Sequence, residues 1–415
     1  MMMCMVFVSL LNSLSFGDDY ATWSASQRIL LNTTASGANI PGNVLKVPIL
    51  LRLNPGNFKN FAQTQPKGAD IRFSKDGATH LPYQIERWVD LAGDNDTAEI
   101  WILVDTVFGN RITAPITMHW GKAGAADSSN GAAVFDTANG FIGVWHLGEN
   151  PGGGAAAVKD ATLNALNATA RGGMDSTDLV GGAIGNGHDF DGIDNADSIP
   201  YAPVLNIANA LTLSAWVKIS KFNRYSRILS RGTPSDSNPW TLYSLNTADT
   251  LPKLRGEVST GDTGSQKFVL GKNTLALNGW YHVVLTYDKA NLKLYRNGLQ
   301  DSVNSPSTIA MGTTKTTPFM IGKSNYSSNP FFGIIDEARL EKTARDSNWI
   351  RLCYENQRSG QTFLSTANVL IWDTSATAGT QPGSGTWGTS NYWSFNGTQL
   401  LPWPGTGFTA RFTGS

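Results

Sequence analysis

Residues 211–220 read LTLSAWVKIS, and every second side chain is apolar. Leu211, Leu213, Ala215, Val217 and Ile219 fall on one side of an extended chain, and Thr212, Ser214, Trp216, Lys218 and Ser220 on the other. A period of two is the spacing of a strand with one face on a core, unlike the 3.6-residue stripe of a helix. Short runs of the same kind recur as VLKVPILLRL, ADIRFSK, AEIWILVD, ITMHWGK and WYHVVLTYDKANLKLYRNGLQ, bounded by Gly, Asn, Asp or Pro. Short strands punctuated this often predict antiparallel sheets stacked as sandwiches. Within the last run a turn is expected around 288–291, and a tight hairpin at Asn297–Gly298, a dipeptide suited to positive φ. TARDSNWIRLCYENQR (343–358) departs from the pattern: Trp349, Leu352 and Cys353 recur at helical spacing and predict a short helix.

A chain of 415 residues is too long for one ordinary core. It divides into an apolar leader (1–17), a first β block (20–138), a second (141–365) and a Gly-, Thr-, Ser- and Trp-rich tail (368–415). GKAGAADSSNGAAVFDTANG (121–140) reads as the linker between the β blocks. The leader, MMMCMVFVSLLNSLSFGDDY, fits a secretory signal with Ser15 and Gly17 at the small positions, and its lack of a leading Lys or Arg points to a start further upstream. Its removal would take Cys4 away and leave Cys353, expected to be a buried structural thiol. The net charge is zero and there is no basic run, which gives no support to nucleic acid or an anionic membrane as partner, and no later segment has the length of a membrane span.

The first block, at GADIRFSKDGATHLPYQIERW, AEIWILVD and ITMHWGKA, resembles the DUF2341 family of bacterial secreted proteins, which implies a fold and no chemistry. The second resembles laminin-G-like domains of the concanavalin A-like lectin/glucanase superfamily. The resemblance is carried by VWHLGE (144–149), DFDGIDNADSI (189–199), LTLSAWVKI, WYHVVLTYD, LYRNG (294–298) and GIIDEARLEKTARDSNWI (333–350). The tail is similar, at WDTSATAGTQPGSGTWGTSNYW and TGFTARF, to the opening of autotransporter-associated β-strand repeats, and its single opening repeat reads as part of a longer chain. The expected fold class is all-β: an antiparallel β-sandwich, a concanavalin A-like jelly roll and a short C-terminal repeat fragment.

Motifs for catalysis are missing from the sequence. The paired acids of jelly-roll glycosidases, spaced E-x-D-x-x-E on one strand, do not occur, and neither does H-E-x-x-H or G-x-S-x-G. HDFDGIDNADSIP (188–200) is rich in aspartate but fails the calcium-loop pattern, since Ile193 and Pro200 stand where ligands belong. It reads instead as a strand, a turn at Asp191–Gly192 and a second strand, with Phe190, Ile193 and Ile199 inward. For calcium, the laminin-G-like resemblance implies a D-x-S-G-N-x-N loop, matched by Asp160, Asn164 and Asn167 with Thr162 and Leu163 in place of Ser-Gly. It also brings Asp336 and Glu337 near that loop. For a glycan, which is recognised by aromatic platforms with a few polar groups, the candidates are Trp216, Tyr225, Trp240, Tyr243, Tyr326 and Phe331. The sequence thus predicts a secreted or bacterial cell-surface, non-catalytic protein that binds polysaccharide and holds a structural calcium ion. The alternatives are a divergent or accessory part of a glycoside hydrolase, and a structural spacer.

Overall fold

The computed structural model describes residues 20–366 except 76, 92–94, 234–239, 249–250, 261–264, 306–309, 312–315 and 326–328, together with 369–372, 393–394 and 409–411. The leader, Tyr326 and most of the tail lie outside the described residues.

Seven strands build the first block: β1 (Ala25–Asn32), β2 (Val44–Leu53), β3 (Arg72–Lys75), β4 (Thr79–His80), β5 (Tyr83–Val89), β6 (Thr97–Val107) and β7 (Ile112–Trp120). After the short helix α1 (Gly131–Val134), the second block runs β8 (Phe141–Trp145), β9 (Thr169–Arg171), β10 (Leu179–Gly181), β11 (Asn186–Asp191), β12 (Ala196–Ile199) and β13 (Leu211–Ile219). It continues with β14 (Arg227–Thr233), β15 (Trp240–Thr247), β16 (Lys253–Thr260), β17 (Ser265–Thr274), β18 (Trp280–Tyr287), β19 (Leu292–Arg296), β20 (Leu299–Asn304), β21 (Phe319–Ile321) and β22 (Phe332–Glu341). Helix α2 (Ser347–Gln357) and strand β23 (Leu364–Ser365) follow. Every pairing within these strands is antiparallel, as the turn spacing predicts.

The first sandwich sets a three-stranded sheet, β2-β6-β5, against a five-stranded one, β23-β1-β7-β3-β4. Its core gathers Ile49, Leu51, Ile100, Ile102, Ile116 and Met118, the alternate residues of the predicted strands. The second sandwich sets the eight-stranded sheet, β10-β11-β22-β13-β18-β19-β20 with β8 on β22, against the seven-stranded β17-β16-β15-β14-β21-β12-β9. Leu211, Leu213, Ala215, Val217 and Ile219 all enter its core. The hairpin at Asn297 (φ 50°) and Gly298 (φ 76°) joins β19 to β20 with Arg296 opposite Leu299. Phe190 is buried, and its ring occupies the space where a Cβ on Gly322 (φ 80°) would lie, so this crossing admits glycine alone. The turn after β11 forms as expected, with Asp191 Oδ1 accepting from the amides of Ile193, Asp194 and Asn195. Ile199 packs inward, but Ile193 at 71% exposure does not, because it rides on that turn.

The blocks are less separable than their sequences suggest. Residues 121–140 end as ordered structure: Asn130 caps α1, and Phe135 is buried in the first core, edge-on to Trp101 and Phe141. After the jelly roll the chain returns, and β23 pairs with Leu30 and Leu31 of β1 as the outer strand of the first sandwich. Helix α2, capped by Asp346 accepting from Trp349 N at 2.9 Å, lies between the sandwiches with Trp349, Ile350, Leu352 and Cys353 in the first core.

The exposed edge of β2 is the hazard in such a layout, since unpaired strand groups recruit other strands. Here Pro48 offers no N–H, Asn57 Nδ2 donates to Arg52 O at 2.8 Å, and Asn356 of α2 pairs with Leu50 on both sides. Asn356 Oδ1 accepts from Leu50 N at 2.7 Å and its Nδ2 donates to Leu50 O at 2.9 Å. One carboxamide therefore stands in for a strand. Replacing it, Asn356→Leu, orphans two buried backbone groups at about 1–3 kcal/mol each. Urea unfolding should show a loss of that size with an unchanged fold by circular dichroism.

Candidate functional site

The face of the seven-stranded sheet turned away from the core carries the most sugar-like chemistry in the second sandwich. Register aligns Phe268, Glu257, Ser244, Ser230 and Met320 across β17, β16, β15, β14 and β21 in one row, and Leu270, Arg255, Asn246 and Arg227 in the next. Arg227 Nη1 donates to Glu257 Oε2 at 2.8 Å and Ser244 Oγ at 2.7 Å, and Arg255 Nε pairs with Glu257 Oε1. With its carboxamide turned to satisfy both neighbours, Asn246 accepts from Arg227 Nη1 at 2.8 Å and donates to Arg255 O at 2.6 Å. Burial pushes the Glu257 carboxyl up, yet Arg227 and Arg255 outweigh it and hold it below its ordinary value. The charged base is sunk, and the rim is open. Arg255 lies 4.0 Å over the ring of Phe268, itself 46% exposed, and 5.4 Å over that of Tyr225. A guanidinium held between two rings and fixed from below by a carboxylate is a preformed surface for stacking and hydrogen bonding.

A second concentration of charge lies buried between the sandwiches. A bulge in β22 places Glu337 at φ 51°, between the Asp336–Trp216 and Arg339–Ser214 pairs. Glu337 Oε1 meets His146 Nδ1 at 2.5 Å and its Oε2 accepts from Arg339 Nη2 at 2.5 Å. Glu86, from β5 of the first sandwich, lies 3.5 Å from His146 Nδ1 and accepts from Trp101 Nε1 at 2.6 Å. His146 Nε2 faces Gln84 Oε1 at 3.2 Å, so both ring nitrogens point at acceptors, as in an imidazolium. Burial lowers the His146 pKa, but Glu337 and Glu86 overcome that and hold it up at about 9. Burial lifts Glu86 to about 7 against the pull of His146. Burial also lifts Glu337, but His146 and Arg339 prevail and bring it down to about 2. Asp336 is pushed well above the carboxylate range by burial and by Glu337 and Glu86, while its Oδ2 accepts from Ile184 N at 2.8 Å. Arg339 also covers Trp101 at 4.6 Å.

Glu86, His146 and Glu337 offer ligand atoms within 4.8 Å of one another, but Arg339 and the imidazolium already supply the positive charge there. The arrangement is a domain clasp.

Several expected site residues are placed elsewhere. Asp160 Oδ1 accepts from Val144 N and Thr162 N, and its Oδ2 from Leu166 N and Thr162 Oγ1. Those contacts fill the roughly four acceptor positions of a carboxylate. Asn164 Nδ2 donates to Ile142 O, and Asn167 Oδ1 accepts from Asp160 N. This donor set does not fit calcium, because the oxygens that would bind it hold hydrogens of the loop and of β8. Asp336 and Glu337 belong to the clasp. Trp216 does lie on the outer face of β13, but α2 covers that face: its Nε1 donates to Gln357 at 2.8 Å and its ring stacks on Tyr354. Tyr243 and Phe331 are core residues, Tyr243 donating to Leu205 O at 3.1 Å. A glycan reaches none of these three. Tyr225 is at the rim described above, Trp240 opens β15 with its side chain outside the described residues, and Tyr326 lies outside them altogether.

The clasp sets a pH dependence. The His146 contribution is complete below 6.5 and is lost as pH rises through about 9; that of Glu337 is complete above 4.5 and is lost as pH falls through about 2. Ionising Glu86 between 4.5 and about 7 costs stability over that window. Thermal melting should therefore fall by several degrees from pH 6.5 to 9, and His146→Gln should flatten that slope. Asp160→Ala should lower the melting temperature to the same extent in calcium and in chelator; rescue of the parent's stability by calcium alone would contradict the loop role.

Two family models match the chain. One is a domain of unknown function, DUF2341, over residues 67–147, and the other is described as the concanavalin A-like lectin/glucanases superfamily, over residues 191–351. A search of curated proteins returns no match. Among solved structures, the binding domain of Paraclostridial Mosquitocidal Protein 1 is similar at 13% identity and TM-score 0.40, covering 52% of this chain and 52% of that one. Domain 4 of AbnA, a GH43 extracellular arabinanase from Geobacillus stearothermophilus in complex with arabinotriose, aligns at 18% identity and TM-score 0.38, over 51% of this chain and 97% of that one. Trypanosoma rangeli sialidase aligns at 19% identity and TM-score 0.37, over 52% of this chain and 33% of that one. The chain thus spans about half of the first of these proteins and a third of the last. With both matches in chain order and on the two sandwiches, the protein carries a DUF2341 domain followed by a concanavalin A-like lectin/glucanase domain.

Proposed function

We propose that this protein is a non-catalytic, extracellular carbohydrate-recognition protein, and that the rim of Tyr225, Arg255 and Phe268 on the seven-stranded sheet is its polysaccharide site. The observation that carries this reading is the Arg255 guanidinium, 4.0 Å over a half-exposed phenyl ring and anchored by the buried Glu257–Arg227 pair. Sugars present apolar C–H faces edged by hydroxyls. An aromatic ring takes the first and a fixed guanidinium the second. The lectin/glucanase fold supports the same reading. On this reading the protein is secreted or surface-attached and acts in adhesion; no helix among the described residues is long and apolar enough to cross a membrane.

The acids speak for recognition over hydrolysis. A retaining glycosidase needs two carboxyls about 5–5.5 Å apart with a sugar between them. Glu86 and Glu337 are close enough, but their side chains are 5% and 1% exposed and their oxygens are taken by Trp101, His146 and Arg339. No sugar enters there. Glu257, on the proposed surface, is locked between two arginines.

A glycan array followed by calorimetry on the strongest ligand tests the proposal. Phe268→Ala and Arg255→Ala should each weaken binding at least tenfold; Phe268→Ala should leave the melting temperature within a degree or two of the parent, while Arg255→Ala, which strips a partner from the buried Glu257, should lower it with the fold kept by circular dichroism. An array without a saturable ligand, or variants that bind as the parent does, would sink the assignment.

A further inference from the structure

A cavity of about 810 Å³ opens between the edge of β2 and the segment that follows α2. Its lining joins amides, hydroxyls and glycines, Gln27, Asn54, Gln361 and Ser365 among them, to the apolar Leu50 and Leu364 and to Arg52 and Arg358, and contains neither an acid nor an aromatic ring. The volume lies within the few hundred to about 1,000 Å³ of ordinary ligand pockets. The charged members of that wall are the two arginines.

Arg52 gives the site its character. Its Nη2 donates to Ala183 O at 3.1 Å and Gln357 O at 2.6 Å, which fixes the guanidinium plane from the second domain and from the end of α2. Its Nε and Nη1 have no hydrogen-bond partner, and no carboxylate forms an ion pair with it, among the described residues. Arg358, by contrast, is held by Glu355 Oε2 at 2.8 Å and donates to Gly360 O at 2.9 Å. Glu99, Glu86, Asp336 and Glu337 act on Arg52 through space, but none of them lines the cavity, and a fixed guanidinium with donors to spare there is suited to a planar anion. An extended peptide is disfavoured because the neighbouring strand edge is closed by Pro48, Asn356 and Asn57, which leaves recognition to side chains.

We propose that this cleft is a second binding site, specific for an acidic sugar whose carboxylate pairs with Arg52 and whose hydroxyls meet the amide and hydroxyl wall. It uses elements apart from the Phe268 rim and does not rest on that assignment.

Calorimetry on the full chain at low salt, with trigalacturonate as probe and galactotriose as its neutral counterpart, tests this. The expected result is saturable binding of trigalacturonate, at least tenfold weaker binding of galactotriose, and at least tenfold loss in Arg52→Gln. Arg255→Ala, at the other site, should leave trigalacturonate binding unchanged. Equal affinity for both sugars, no saturable binding of trigalacturonate, full affinity in Arg52→Gln, or loss in Arg255→Ala would each overturn the proposal. Should Arg52→Gln fail to fold, Arg52→Lys, which keeps the charge and loses the planar fork, decides by the same measurement, with parental affinity counting against the site.

Discussion

Taking an ionised carboxylate out of water is among the costliest acts in folding, and Glu337 is 2% exposed. It is tolerated there because Arg339, two residues along the same strand, and His146, the residue after β8, close on its two oxygens. The rest of the arrangement follows from that need. The bulge at Glu337 brings it and Arg339 together, Glu86 crosses from the first sandwich to balance the imidazolium, and Trp101 and Phe135 seal the cluster from solvent. Removing one member would leave the others buried without compensation, so the sandwiches are held in one relative placement. Apolar packing alone would allow more latitude.

The strands were legible in the sequence because a half-buried strand must alternate, and LTLSAWVKIS sits in the core as its spacing predicts. Turn chemistry was equally readable: Asn297–Gly298 adopts the positive φ for which that dipeptide is suited. Alternation, however, says which face a side chain occupies and nothing about what covers it. Trp216 was correctly placed on the far side of β13, but that side is covered by α2, whose approach depends on contacts more than a hundred residues away. Tyr243 and Phe331 were candidates on residue type alone, and type does not distinguish a platform from a core ring.

Of the proposed sugar rim Tyr225 is a candidate in the sequence, while Arg255 and Phe268 are not, for the converse reason. Arg255 and Glu257 in KLRGEVST look like ordinary solvent-face charges on a strand, and their partner Arg227 is on another strand. Two opposite charges at i and i+2 beside an aromatic strand were the available signal. The clasp was harder still, since Glu86, His146 and Glu337 come from distant strands and meet through a bulge that no pattern of period two announces. For Asp160 the resemblance implies an ion, but the amides of Val144, Thr162 and Leu166 and the Thr162 hydroxyl claim the carboxylate.

The return of the chain to pair β23 with β1 has a mechanical meaning. Ser365 lies opposite Leu30 and Leu364 opposite Leu31, antiparallel, so the chain enters and leaves this large unit side by side at one sheet edge. Tension along the polypeptide would act by peeling apart that short pairing, bond by bond, before any load reached either core. The assembly, lectin-like domain included, then hangs from the line of force as a pendant: the seven-stranded sheet stays intact while the tether is pulled, whereas the cleft walled by Gln27, Leu364 and Ser365 opens with the pairing.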